Sequence, residues 1–237
     1  MADLIIDIGN TALKAAWCDG MTLGKTFRYQ GERMLEFILS LTRKNRPETI
    51  VLSSVRNFSE HNISRLHDEC SRLIVFDGSI MDKYGIPSYI TPDRAASIIA
   101  ARYLFKNREC ILFDFGATLS VDFIGKEGVY EGGNVSPGLH TRFKALNRYS
   151  KSLPLVDNPD EISEKGYDIV SSVKSGVVTG IIFEIEGYMS HCAGKTMVFT
   201  GGDAIYFAKR MKNSIFVVCN LVLMGLALIA VEYDQKD

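Results

Sequence analysis

The chain has 237 residues, 27 Lys and Arg against 28 Asp and Glu for a formal net charge of −1, and 46% apolar residues, the composition of an ordinary globular protein. Disordered, collagenous and supercharged nucleic-acid-binding classes fit such numbers poorly. A pI of about 6.4 supplies no chain-wide basic field for nucleic acid or an anionic membrane, so any attraction for a phosphorylated ligand must be local.

The N-terminus, MADLIIDIGN, is acidic where a signal peptide is basic, and it breaks at Gly9-Asn10 before an apolar core can form, which argues against export. The five cysteines are an odd, widely spaced set without a C-x-x-C pair, as expected of free thiols in a reducing cytoplasm. The first strand runs into DIGNT, Asp7 to Thr11. Glycine permits a positive φ and close approach of the backbone to a ligand, so the amides around Gly9 can form an anion-binding nest. Asn10 and Thr11 add donors, Lys14 is a candidate phosphate contact, and Asp7 is a candidate Mg²⁺ ligand, directly or through water. A single copy of such a turn is equally an ordinary hairpin.

Periodicity then predicts an amphipathic helix over 31–44, a strand over 49–54, a helix over 60–73 and another over 94–105. Before the last of these stands TPDR, residues 91–94. Pro92 disfavours helix before it and puts Asp93 at the N-cap or first turn. Two compatible roles follow for Asp93: a helix cap, or a general base that accepts a hydroxyl proton beside Arg94 as a carboxylate clamp.

At Ile111 to Ile124 the plan of the first hairpin returns: apolar strand, Asp114-x-Gly116, small residues including Thr118, second strand. The two aspartates stand about one domain length apart. Two similar halves meeting near residue 110, each α/β with a mixed sheet, are therefore expected, with Asp7 and Asp114 serving one metal–triphosphate. Further on come a strand at 129–130, a turn-rich GGNVSPGL segment (132–139) that is either a loop or a substrate wall, helices over 141–149 and 173–192, and a strand at 197–200 ending in Gly201-Gly202-Asp203, a third glycine turn. Residues 215–233 are apolar enough to raise a membrane span but split at Asn220 into a buried strand and a core helix. His61, His67, His140 and His191 lack metal-ligand spacing, and Asp122 reads as structural.

Together these motifs resemble the type III pantothenate kinases of the acetate and sugar kinase/Hsp70/actin superfamily, in order and over nearly the whole chain. DIGNTALK is similar to D-x-G-N-T-x-x-K, YGIPSYITPDR to Y-x-x-P-x-x-x-G-x-D-R, and DFGATLSVD to D-x-G-T-A-T-T-x-D. GGNVSPGL, ALNRYSKSLP and SGVVTG resemble G-G-x-I-x-P-G-L, A-L-x-x-x-T-A-x-L-P and S-G-I-V-x-G. The resemblance implies two actin-like, ribonuclease H-like domains with mixed five-stranded sheets flanked by helices, spanning 1–109 and 110–237. It implies ATP-dependent phosphorylation of pantothenate, the first step of coenzyme A biosynthesis, in a cytoplasmic homodimer whose second domain supplies the interface and part of the pantothenate pocket, with no nucleic-acid or membrane partner. By position it makes Asp93 catalytic. Asp7, Gly9, Asn10, Thr11, Lys14, Gly116, Thr118, Gly201 and Gly202 become nucleotide contacts. Tyr84, Thr91, Arg94, Gly133 and Ser150 become pantothenate contacts, Asp7 a Mg²⁺ ligand, and Asp114 the ligand of a monovalent cation, K⁺ or NH₄⁺. Three departures fall inside the motifs: Ala117 lacks the hydroxyl expected to touch ATP, Thr91 takes the place of a glycine, and Lys151 that of an alanine. They leave room for a kinase of the same superfamily acting on another small hydroxylated metabolite, or for a catalytically silent nucleotide-binding or regulatory homologue.

Overall fold

The computed structural model describes residues 2–157 and 159–235. It forms two compact units, one made of the chain up to Lys106 together with the residues from Asn220 onwards, the other of Asn107–Cys219. In the first unit the elements are β1 (Asp3–Ile8), β2 (Leu13–Asp19), β3 (Thr22–Tyr29), α1 (Met34–Thr42), β4 (Thr49–Ser54), α2 (Glu60–His67), β5 (Arg72–Val75), α3 (Gly78–Lys83) and α4 (Pro92–Leu104). The second contains β6 (Cys110–Phe115), β7 (Thr118–Ile124), β8 (Tyr130–Pro137), α5 (Leu139–Tyr149), α6 (Ile169–His191), β9 (Thr196–Gly201), α7 (Ala204–Ala208) and β10 (Phe216–Val217). The closing helix α8 (Leu221–Asp234) returns to the first unit.

Both sheets have five strands and one topology. The first is ordered β3-β2-β1-β4-β5 and the second β8-β7-β6-β9-β10. In each, a three-stranded antiparallel meander is extended by two parallel strands. The central strands, β1 and β6, are buried on both faces, as their nearly continuous apolar runs require. Edge strands β3 and β8 instead alternate intermediate and exposed residues. In the second unit Phe113, Phe115, Phe199 and Phe207 interlock with ring centroids 4.8–6.3 Å apart, a core of aromatic pairs in stacked and edge-on arrangements.

Helix α8 is apolar nearly all round and is covered by α4 and by the first sheet. At the crossing, a Cβ on Gly225 would fall on the Ala96 backbone, 3.0 Å from its Cα and closer still to its carbonyl. This burial explains the apolar run without a membrane. Among the described residues no helix is long and apolar enough to cross one. It also differs from the sequence expectation, which placed everything beyond residue 110 in the second domain: the core that α8 completes is that of the first unit. Three local expectations change as well. The helix predicted over 60–73 ends at His67, and Arg72–Val75 is a strand, because Leu73 and Val75 pair with Ile50 and Leu52 in the sheet. The GGNVSPGL segment is largely edge strand β8 rather than loop. The strand predicted at 215–219 is only the two-residue β10, and both residues are exposed. All five cysteines are free.

Candidate active site

In the first unit the candidate phosphate element is the turn joining β1 to β2. Asp7, 5% exposed, lies in register with Lys14 on β2 and Ser53 on β4, so the three side chains share one face of the sheet. Ser53 Oγ donates to Asp7 Oδ1 at 3.4 Å. The Gly9 amide donates to the Ala12 carbonyl at 3.1 Å and closes the turn, leaving Asn10 and Thr11 exposed at its tip. Arg56, which sequence reasoning overlooked, donates to the Asn10 carbonyl from the loop after β4, while its own amide and carbonyl are bonded to Ser54 Oγ at 3.1 and 2.8 Å. The available signal was an arginine just past the strand that pairs in parallel with the DIGNT strand.

Asp93 and Arg94 open α4. Thr91 is the N-cap residue, with φ −69° and ψ 148° and no side-chain cap bond, and Pro92 occupies the first helical position. Asp93 is therefore a first-turn residue, not the cap, and its Oδ1 accepts the Arg94 amide at 2.9 Å. Tyr84, the first residue of the candidate acceptor segment 84–94, is engaged elsewhere. Its hydroxyl donates to Glu232 Oε2 on α8 and its carbonyl accepts from Arg102 Nη1, each at 2.6 Å. The Arg102 Cα lies about 13 Å along α4 from Asp93, at 1.5 Å per residue. The structure thus draws Asp93 and Arg94 together and holds Tyr84 towards the far end of the same helix.

The second unit repeats the row of the first. Asp114 on β6 is in register with Ser120 on β7 and Thr200 on β9, both buried. Gly201, at φ +92°, ends β9 directly against it: a Cβ there would collide with the Asp114 carboxylate and stand 2.5 Å from the Phe115 carbonyl oxygen, so only glycine fits. The Gly116 amide closes the hairpin on the Thr118 carbonyl at 3.0 Å. Ala117 presents its carbonyl to the Gly138 amide at 3.0 Å and to Thr141 Oγ1 at 2.6 Å, so Thr141 is a second residue the sequence did not single out. Thr118 and Gly202 are exposed, whereas Ser120 is buried. Gly133 is exposed on β8 opposite Asp122, whose carboxylate accepts the Tyr130 hydroxyl at 3.1 Å. Ser150 ends α5 with its hydroxyl 3.3 Å from that of Ser152. Burial pushes the Asp203 carboxyl up from its ordinary range, against a smaller opposing pull from His140.

Comparison with known proteins decides what these two turns belong to. Residues 3–191 match the family model for type III pantothenate kinase. The chain belongs to the type III pantothenate kinase family. It is 34% identical to the type III pantothenate kinase of Azobacteroides pseudotrichonymphae over 98% of this chain and 97% of that one. It is likewise 34% identical to the enzyme of Cytophaga hutchinsonii over 94% and 96%, and 33% identical to that of Phocaeicola vulgatus over 99% of each. Solved structures share the fold. A Baf family protein from Campylobacter jejuni superposes with a TM-score of 0.65 at 23% identity, covering 98% of this chain and 99% of that one. The ADPNP-bound activator of 2-hydroxyisocaproyl-CoA dehydratase from Clostridium difficile gives 0.61 at 14%, covering 100% and 96%. A ROK hexokinase from Thermus thermophilus gives 0.55 at 13%, covering all of both chains. The paired five-stranded sheets are thus those of the actin-like and sugar-kinase fold, and membership of a kinase family implies ATP as phosphoryl donor.

Proposed function

We propose that this protein phosphorylates the primary hydroxyl of pantothenate with ATP, the entry reaction of coenzyme A synthesis. The observation that carries the reading is the full-length likeness to type III pantothenate kinases combined with three aspartates placed at strand ends and a helix start: Asp7, Asp93 and Asp114. Phosphoryl transfer asks a protein mainly for positioning and charge neutralisation, and each unit brings one glycine turn suited to phosphate oxygens. In the first, Gly9, Asn10, Thr11 and Lys14 surround the turn. In the second, Gly116, Thr118, Gly201 and Gly202 do so.

Asp93 takes the proton of the acceptor hydroxyl as its oxygen bonds to the γ-phosphorus and the bond to the ADP oxygen breaks. Arg94 clamps the acceptor carboxylate. Thr91, Gly133 and Ser150 complete the acceptor contacts, and Tyr84 opens the segment that carries Thr91, Asp93 and Arg94. Mg²⁺ fits at Asp7, a buried carboxylate beside a phosphate turn, because that ion is commonly held by one or two carboxylates plus substrate phosphates. When bound it neutralises phosphate charge. K⁺ or NH₄⁺ is assigned to Asp114, the carboxylate on β6 beside the second turn. A cytoplasmic homodimer completes the proposal. Helix α6 supports it: Phe183 is 66% exposed beside Gly180, in an open groove of about 430 Å³ that also includes Thr179 and Gly176, an apolar face that a second copy would cover.

The test is ADP release by purified protein with Mg²⁺–ATP and pantothenate, in K⁺ or NH₄⁺ against Na⁺. Turnover must require pantothenate and fall by about 10² to 10⁴ in Asp93→Asn with the fold intact, since Asp93 is not the cap of α4. Turnover indifferent to pantothenate, or an Asp93→Asn protein as active as the parent, rejects the reading.

A further inference from the structure

The last turns of α4 and α8 converge on one residue that precedes the catalytic segment. Arg102, on α4, has a guanidinium whose Nε is fully buried and, among the described residues, without a partner. Burial pulls its pKa down. Its Nη1 is spent on the Tyr84 carbonyl. Desolvating a guanidinium for a backbone carbonyl is costly, and the cost is met here at one point of one loop. Glu232, on α8, sits in the last turn of its helix, where a negative charge opposes the macrodipole, so helix stability does not account for it. Its carboxylate accepts the Tyr84 hydroxyl. On either side the α8 terminus is fastened further: Lys83 Nζ donates to the Tyr233 hydroxyl at 3.3 Å, and Arg72 pairs with Asp234 at 2.5 Å.

We propose that Glu232 and Arg102 are positioning residues for the acceptor segment, which hold Tyr84 at its hydroxyl and its carbonyl so that the loop from Tyr84 to Thr91 delivers Asp93 and Arg94 in a fixed register. Helix α8 thereby acts on the acceptor side of the reaction without touching the acceptor. The inference rests on the reading of Asp93 and Arg94 as the pair that handles the acceptor. Tyr84 is a suitable anchor because its phenol is fixed in the protonated state: burial first, then the neighbouring Glu232, pushes its pKa well above the ordinary tyrosine range.

The experiment compares wild type, Glu232→Ala, Glu232→Gln, Tyr84→Phe and the Glu232→Ala/Tyr84→Phe double variant. Steady-state kinetics should show the KM for pantothenate raised about fivefold in Glu232→Ala, the size of one hydrogen bond, with the KM for ATP unchanged. Glu232→Gln, which keeps an acceptor oxygen, should recover most of the loss. The double variant should be no worse than the poorer single one, because both remove the same bond. Amide hydrogen exchange gives a readout independent of turnover: Glu232→Ala should speed exchange in residues 84–91 and leave the β1–β2 turn as it was. If pantothenate proves not to be the acceptor, the exchange result still stands or falls alone. An unchanged exchange pattern, a KM for ATP that rises in step with that for pantothenate, or additive losses in the double variant would each overturn the proposal.

Discussion

Replacing Gly138 by alanine probes the second phosphate turn. Gly138 has φ −71° and ψ 175°, a conformation open to any residue, so alanine adds no backbone strain and any effect is steric. Its new Cβ would lie 2.9 Å from the Ala117 carbonyl oxygen, 3.0 Å from the Ala117 carbonyl carbon, and nearer still to the Gly116 oxygen. Restoring ordinary contact with the Gly116 oxygen means parting the start of α5 from the hairpin by roughly 1 Å or a little more, an overpacking cost of about 1–3 kcal/mol. The same movement stretches both bonds to the Ala117 carbonyl, from the Gly138 amide and from Thr141 Oγ1, worth about 1 kcal/mol each. Gly138→Ala should therefore lose about 2–4 kcal/mol in urea unfolding followed by circular dichroism, and raise the KM for ATP more than that for pantothenate. Thr141→Val, which removes one of the two bonds without a clash, should lose about 1 kcal/mol. A Gly138→Ala protein within 0.5 kcal/mol of wild type, or one no worse than Thr141→Val, would refute the reasoning.

Two further outcomes follow from burial. Asp3, 4% exposed, has its pKa raised chiefly by desolvation, with the Thr49 amide pulling the other way and Asp234 and Glu48 adding to the rise. A raised folded-state value means that its favourable contribution is complete below the unfolded value near 3.9 and is lost as pH climbs through the folded one. Asp3→Asn keeps an acceptor for Thr49 without the charge, so the urea midpoint of wild type relative to Asp3→Asn should decline from about pH 4 upward. A difference between wild type and Asp3→Asn that stays flat or grows in favour of wild type from about pH 4 to pH 7 contradicts this. Burial also pushes the Cys18 thiol up to about 12 and that of Cys110 to about 11. An aromatic disulfide reagent at pH 8 should therefore titrate exposed Cys219 first and Cys192 more slowly, with Cys18, Cys70 and Cys110 released only on denaturation.

Much of the fold was legible because its signals are local. Two copies of strand–Asp-x-Gly–strand announced two sheets of one topology, and in the apolar run 215–233 the part after Asn220 is the core helix its composition suggested, while the part before it holds only the short, exposed β10. What escaped depends on pairing at a distance. The helix expected over 60–73 takes in Arg72 and Leu73, but they belong with β-branched Ile74 and Val75 to a strand that pairs in parallel with Thr49–Leu52. The return of α8 to the first unit depends on Gly225 meeting Ala96, a contact between residues more than a hundred positions apart. Of the candidate site, the aspartates and glycines could be proposed from their own motifs. Arg56, Thr141, Arg102 and Glu232 were not, since each acts on a backbone or side chain belonging to a different stretch of sequence.

The departures from the family pattern take on a definite meaning at this level. Thr91 raised the question of whether its position needs glycine's freedom. At φ −69° and ψ 148° it does not, and what threonine adds is an exposed side chain two residues before Asp93, a change of surface and not of backbone. Ala117 raised the question of a lost nucleotide contact. Its carbonyl is the part that shapes the turn, through Gly138 and Thr141, and that function is indifferent to the side chain. The hydroxyl missing from Ala117 is not supplied by Ser120, which faces the buried row with Asp114, whereas Thr118 remains exposed on the same hairpin. Both substitutions thus spare the backbone that builds the two turns. Their effect should appear in binding constants for nucleotide and acceptor, not in the stability of the fold.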